Sequence, residues 1–137
     1  MSTSVTTQTI VNSYRTLYRA SLRAVQYSTP NRYLLRDRLR RAFRESPRAD
    51  YEPDRIANTL SFLNAAASDT GLEHRVVKSL CHVWHGEHRQ WKARSRTWTM
   101  IHSQKAKRPQ VKWETQAYDN FYWTVRMLNE SMGLCIK

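Results

Sequence analysis

Two sets of side chains in this 137-residue chain have the types and the spacing to do chemistry. Arginines recur every four residues, as Arg15, Arg19 and Arg23 and again as Arg32, Arg36, Arg40 and Arg44. On a helix that interval stacks the guanidinium groups along one side. Each then presents a planar fork that matches a carboxylate or a phosphate. The second set is Cys81, His85 and His88, which share a helix face at i, i+4 and i+7 and are donor types that suit zinc. Three close donors on one helix seldom complete a tetrahedron, and a fourth would have to come from His82 or the distant Cys135. A buried Cys81 and no metal site are therefore expected. Catalysis finds little support. There is no Gly-rich phosphate loop, no usefully spaced pair of carboxylates, and no Ser or Cys nucleophile in a suggestive setting. Glu87, between His85 and His88, does not make the His-Glu-x-x-His arrangement of metalloproteases. The chemistry that remains is oxyanion recognition and apolar contact, which suits a binding protein rather than an enzyme.

Composition points the same way. Lys and Arg number 23 against 11 Asp and Glu, for a net charge of +12. Such an excess repels itself in a compact fold, and an acidic partner offsets it: nucleic acid, anionic lipid or an acidic protein. No apolar run approaches the length of a membrane span. Cys81 and Cys135 are too few for a secreted disulfide scaffold and read as reduced thiols. Only 3 glycines and 4 prolines argue for helices rather than a turn-rich β fold. The first carboxylate is Asp37, and the Arg-, Ser- and Thr-rich stretch before it matches a mitochondrial import signal. It also reads as the first helix of the fold, so an uncleaved internal signal is expected.

The elements that must position these residues follow from hydrophobic period and caps. A first helix over about 6–26 carries the stripe Ile10, Tyr14, Leu17, Ser21 and Val25. Ser28 or Thr29 can cap a second helix over about 31–45, with Pro30 in its first turn and Leu35, Leu39, Ala42 and Phe43 facing inward. After a loop, Pro53 opens a third helix with Asp54 near its positive end. Its inward positions are Ile56, Leu60, Leu63 and Ala67, widened by Phe62. The small residues Ala65, Ala66 and Ala67 either let neighbouring helices close in or leave room for something that is not protein. Beyond Leu72 the chain turns basic and aromatic, and Val77, Trp84, Trp91 and Trp98, spaced by seven, mark one seam of a long helix. A last helix is predicted over about 114–131. The expected fold is all-α, with a three-helix bundle at 1–80 and a basic, Trp-rich helical extension at 81–137.

Leu17-Tyr18-Arg19 with Leu22 and Arg23, then Arg40 to Arg44 with Phe43 inside it, resembles the LYR-motif family of small mitochondrial proteins over roughly residues 8–80. With Phe62-Leu63-Asn64 added, the chain is most similar to the member that joins acyl carrier protein and a ribosome-silencing factor on the maturing mitochondrial large ribosomal subunit. The cysteine desulfurase adaptor of the same family resembles the first two helices almost as well. The resemblance implies binding of mitochondrial acyl carrier protein in the matrix through Leu17, Tyr18, Arg19, Arg23, Arg36, Arg40, Phe43 and Arg44. It implies that the carrier supplies an acyl-4'-phosphopantetheine arm, whose chain enters a tunnel lined by Leu17, Leu39, Phe43 and Leu63, with Ala66 and Ala67 leaving it space.

The C-terminal part lies outside the resemblance and is read from its residues. Packing of Trp84, Trp91 and Trp98 against the last helix is favoured over stacking on bases. Burying that seam turns Arg89, Lys92, Arg94, Arg96, Lys105, Lys107, Arg108 and Lys112 outward as a ridge suited to ribosomal RNA. The expectation is an adaptor that holds the loaded carrier with one half and docks on the large ribosomal subunit with the other. Two alternatives are an accessory factor for cysteine desulfurase or a respiratory complex, and a permanent mitoribosomal protein.

Overall fold

A computed structural model describes residues 6–101 and 112–136, with side chains at 6–89 and 118–136. The protein is all-α. Its helices are α1 (Thr7–Ala24), α2 (Asn31–Glu45), α3 (Pro53–Ser68), α4 (Leu72–Ile101) and α5 (Lys112–Met132), with a short 3-10 turn at Arg48–Asp50 between α2 and α3. No helix among the described residues is long and apolar enough to cross a membrane.

Local chemistry sets the ends. Thr6 caps α1, its hydroxyl accepting from the Thr9 amide at 3.3 Å. The turn after α1 runs through Gln26 and Tyr27, both at positive φ. At α2 the expected Ser or Thr cap does not form. Pro30 is the cap residue and makes no side-chain cap bond, while the carbonyl of Ser28 accepts from the Arg32 amide at 2.9 Å. Pro53 and Asp54 open α3 as expected, and Gly71 stands just ahead of α4. Gly133 ends α5 at φ +61°, which lets the Leu134 amide reach back to the Asn129 carbonyl at 3.0 Å. That is the bond pattern of a Schellman cap.

The helices meet where side chains are small. Ala20, Ser21 and Ala24 are buried on α1, and Thr59, Phe62 and Ala66 on α3. Small residues allow backbones to approach closely, and α1 packs on both α2 and α3. The buried line of α3 is rotated from the expected Ile56-Leu60-Leu63-Ala67 stripe, whose members are half-buried or, at Leu63, line a cavity instead. A polar residue, Thr59, occupies the centre because its hydroxyl bonds the Arg55 carbonyl at 2.7 Å.

A fourth helix completes the bundle, since α4 packs on α3 and α2. The expected boundary at residues 80 and 81 falls inside α4, where Leu80 and Cys81 are both buried. Val77, Cys81 and Leu134 share a core with Ala24, Phe62 and Ala66, while Leu80 and Trp84 pack with Val125 of α5. The predicted extension thus supplies part of the core. Val77 and Trp84 turn inward as the favoured seam requires; the side chains of Trp91 and Trp98 lie outside the described residues.

Candidate functional site

Between the helices lies an apolar hollow of about 110 Å³. Leu17 and Ser21 line it from α1, Phe62 and Leu63 from α3, and Val77, Leu80 and Trp84 from α4. The α2 side is formed by Leu35, Arg38, Leu39, Ala42 and Phe43, and the far end by Cys135 and Ile136 of the segment after α5. No residue of α2 is fully buried, so this wall is the open one. The two hydroxyls at the lining are already hydrogen-bonded. Ser21 donates to the Tyr18 carbonyl at 2.8 Å. Thr59 donates to Arg55 and accepts the Cys135 amide at 3.0 Å. A space lined this way favours a hydrocarbon over water, which needs polar partners to stay.

One charged side chain borders the hollow. Arg38 also lines a neighbouring surface groove of about 350 Å³, with Arg41, Glu45 and Asp50. Its guanidinium lies 4.2 Å from the centre of the Trp84 ring and donates to Glu87 at 3.0 Å. Tyr122 donates its hydroxyl to the same carboxylate at 2.7 Å, which ties α2, α4 and α5 together. Burial, and then the bond to Glu87, raise the Tyr122 pKa above its ordinary value, so this hydroxyl remains a donor. The Trp84 indole N–H is buried without a hydrogen-bond partner.

The expected tunnel residues divide. Leu17, Leu39, Phe43 and Leu63 come together around the hollow. Ala66 and Ala67 do not line it: Ala66 is core, and its carbonyl sits 3.2 Å from Nδ1 of His74. The small side chains that open the space are Ala42 and Ser21. Arg19, Arg23, Arg40 and Arg44 are exposed. Arg36 is half-buried and donates to Asp37 at 3.0 Å, and that bond raises its pKa. Tyr18 stacks on Tyr14, which meets Phe43 edge-on at 5.4 Å and so joins α1 to α2.

Of the basic residues predicted to meet RNA, Arg89 is exposed on α4. The side chains of Lys92, Arg94, Arg96 and Lys112, and Lys105, Lys107 and Arg108 altogether, lie outside the described residues. Among the described residues no His, Cys, Asp and Glu cluster could hold a metal. Burial pushes the Cys81 thiol up to about 11, against a smaller opposing effect of Arg38, so it stays protonated and unreactive.

Sequence reasoning missed Arg38, Thr59 and the terminal segment. Arg38 was detectable, because it lies between Leu35 and Ala42 on the inward face of α2 and breaks an apolar stripe. Thr59 and Cys135 carry no comparable signal, since their pairing joins residues 76 positions apart.

Among known proteins, the chain is similar to a UPF0593 mitochondrial protein of Schizosaccharomyces pombe. The two are 30% identical over 126 residues, a match covering 90% of this chain and 94% of that one. No family model and no solved structure matches.

Proposed function

From the premise that the chain belongs to the UPF0593 family of mitochondrial proteins, we propose that it is a non-enzymatic matrix adaptor for acylated acyl carrier protein, and that it carries this partner to the large ribosomal subunit. The observation that supports the carrier half is the hollow itself. Leu17, Leu39, Phe43 and Leu63 surround a space that the chain leaves unfilled, under the open wall of an arginine-rich helix. An acyl chain delivered on phosphopantetheine would bury its methylenes there while Arg19, Arg23, Arg40 and Arg44 meet the acidic carrier and its phosphate. Each methylene buried there contributes about 0.8 kcal/mol before ordering costs.

Native mass spectrometry of the protein purified from mitochondria tests this reading. The expected result is an acidic carrier bearing an acyl-pantetheine mass, lost in Arg19→Glu and Phe43→Glu. A chain that purifies without a carrier, or binds its unacylated form equally well, overturns it.

A second reading keeps the carrier and replaces the ribosome with a protein client such as cysteine desulfurase or a respiratory complex. The outer face of α5 favours it, because Trp123 and Met127, one turn apart, are 61% and 63% exposed. Large apolar side chains grouped on a surface suit a protein interface better than a phosphate backbone. RNA affinity measured against salt separates the two. The ribosomal reading expects about 0.7–0.9 log units lost per neutralised phosphate for each log unit of salt, and the client reading expects no salt-dependent RNA binding at all.

A further inference from the structure

The hollow is smaller than the ligand class proposed for it. At about 110 Å³ it falls below the roughly 150 Å³ apolar cavity that takes up one benzene molecule, so a longer hydrocarbon must extend past its present lining. The segment after α5 borders it, because Cys135 and Ile136 are part of its lining. We infer that segment 133–136 is a chain-length gate: seated, it admits only a short acyl chain, and a long one enters by expelling Cys135 and Ile136. The inference rests on the acyl-carrier reading above and adds to it a ligand-dependent change at a defined place.

The attachments of the segment fall into two parts. Leu134 is 1% exposed and packs with Phe62, Val77 and Cys81, so it is an anchor that stays. Beyond it Ile136 packs against the edge of both core clusters, and the rest of the hold is polar. The Cys135 amide donates to Thr59 Oγ1 at 3.0 Å. The Asn129 side chain clamps both sides of Ile136, accepting from its amide at 3.0 Å and donating to its carbonyl at 2.6 Å. Cys135 and Ile136 are themselves only half-buried. Short segments with few buried contacts and hydrogen bonds near solvent are where a fold opens locally without global unfolding. Hydrocarbon that takes the place of Ile136 covers the same apolar wall, so the exchange lengthens the hollow without emptying it.

Cys135 supplies the readout. Its Sγ lies 3.2 Å from Thr59 Oγ1 while the segment is seated, and the buried Cys81 serves as an internal control in the same chain. The experiment measures alkylation of Cys135 by iodoacetamide in the full chain, alone and saturated with carrier protein bearing either a butanoyl or a palmitoyl group. Saturation is verified by native mass spectrometry. The palmitoyl carrier is expected to raise the Cys135 rate about tenfold, while the butanoyl carrier leaves it within about twofold of the free chain. Asn129→Ala is expected to raise the rate without any carrier. The two-carrier comparison needs no variant, so it stands even if Asn129→Ala fails to fold. A bound palmitoyl carrier with Cys135 as protected as in the free chain overturns the gate and leaves the adaptor reading intact. So does a chain that takes the butanoyl carrier and refuses the palmitoyl one. Failure of both carriers to bind overturns the adaptor reading and the gate with it.

Discussion

The two walls of the hollow are built in opposite ways. On one side α1 and α3 bury Ala20, Ser21, Ala24, Thr59, Phe62 and Ala66, small or tightly packed residues that bring two backbones close. On the other side α2 buries none of its residues fully, although Leu35, Leu39 and Phe43 all face inward. The first wall is completed by the chain itself. The second presents an apolar face that the chain leaves partly uncovered. Partial burial at Leu39 and Phe43 is thus a property of an incomplete interior rather than of an ordinary surface helix, and a guest would act mainly on α2.

That difference predicts unequal responses to the same kind of truncation. Phe62→Ala removes a ring packed with Ala24, Val77 and Leu134 and should destabilise by about 3–5 kcal/mol in urea unfolding. Phe43→Ala removes a ring that borders empty space and meets Tyr14 on one edge, so a loss of about 1 kcal/mol is expected. Similar losses at the two sites would erase the distinction between the walls. With an acylated carrier bound, the Phe43→Ala loss should grow towards that of Phe62→Ala.

Alkaline pH probes the closed side a second time. The Cys81 thiol is raised by burial from 9.0 to about 11, so between those values the folded chain holds a proton that the unfolded chain has released. Stability from this group is complete below pH 9 and is lost as pH rises through 11, amounting to about 2–3 kcal/mol for two units. Cys81→Ala should flatten that part of the stability profile. An unchanged slope would mean that the thiol is not held in the core.

Much of this is legible in the sequence, and the gaps have physical causes. Helix α2 is placed residue for residue, because apolar period, a preceding proline and the arginine interval agree over 31–45. The LYR resemblance implies that Leu17, Leu39, Phe43 and Leu63 lie together, and these four border the hollow. Ala66 and Ala67 are misassigned because a small residue signals either close packing or open space, and only the neighbouring helix decides which. Thr59 escapes a search for apolar stripes, although an intrahelical bond to Arg55 makes a threonine acceptable in a core. Leu134 and Ile136 look like a loose end after a helix. Their role depends on Asn129 and Thr59, pairings that no periodicity encodes.

The join between the walls should respond less than the closed wall. Arg38 approaches from α2 and Glu87 from α4, and the pair is partly buried, with side chains 19% and 37% exposed and Tyr122 on the same carboxylate. Glu87→Ala leaves a guanidinium over Trp84 and a tyrosine hydroxyl without its acceptor, for an expected loss of about 1–2 kcal/mol after discounting for solvent. The Arg38 side chain would then be free to turn into the groove beside Glu45 and Asp50. A double-mutant cycle between Arg38 and Glu87 that gives no coupling would show that α2 is not held to α4 by this pair.

A comparably small effect is expected at the turn that brings the segment after α5 to the hollow. Gly133 adopts φ +61°, and a Cβ there would sit 3.0 Å from Nδ2 of Asn58, which donates to the Gly133 carbonyl at 3.3 Å. Gly133→Ala therefore combines left-handed strain with a contact that one side chain must yield, for about 1 kcal/mol. The Leu134 anchor is fully buried, so the variant should still fold, but with the segment seated less often. Faster Cys135 alkylation together with a small drop in urea stability is the expected signature. Because the core draws its stability from Phe62, Ala66 and Leu134, while Ile136 borders the hollow, the two readouts should separate: stability down by only about 1 kcal/mol, access to the hollow clearly increased. A variant that loses both in proportion would tie residues 135 and 136 to the core and remove their independence from it.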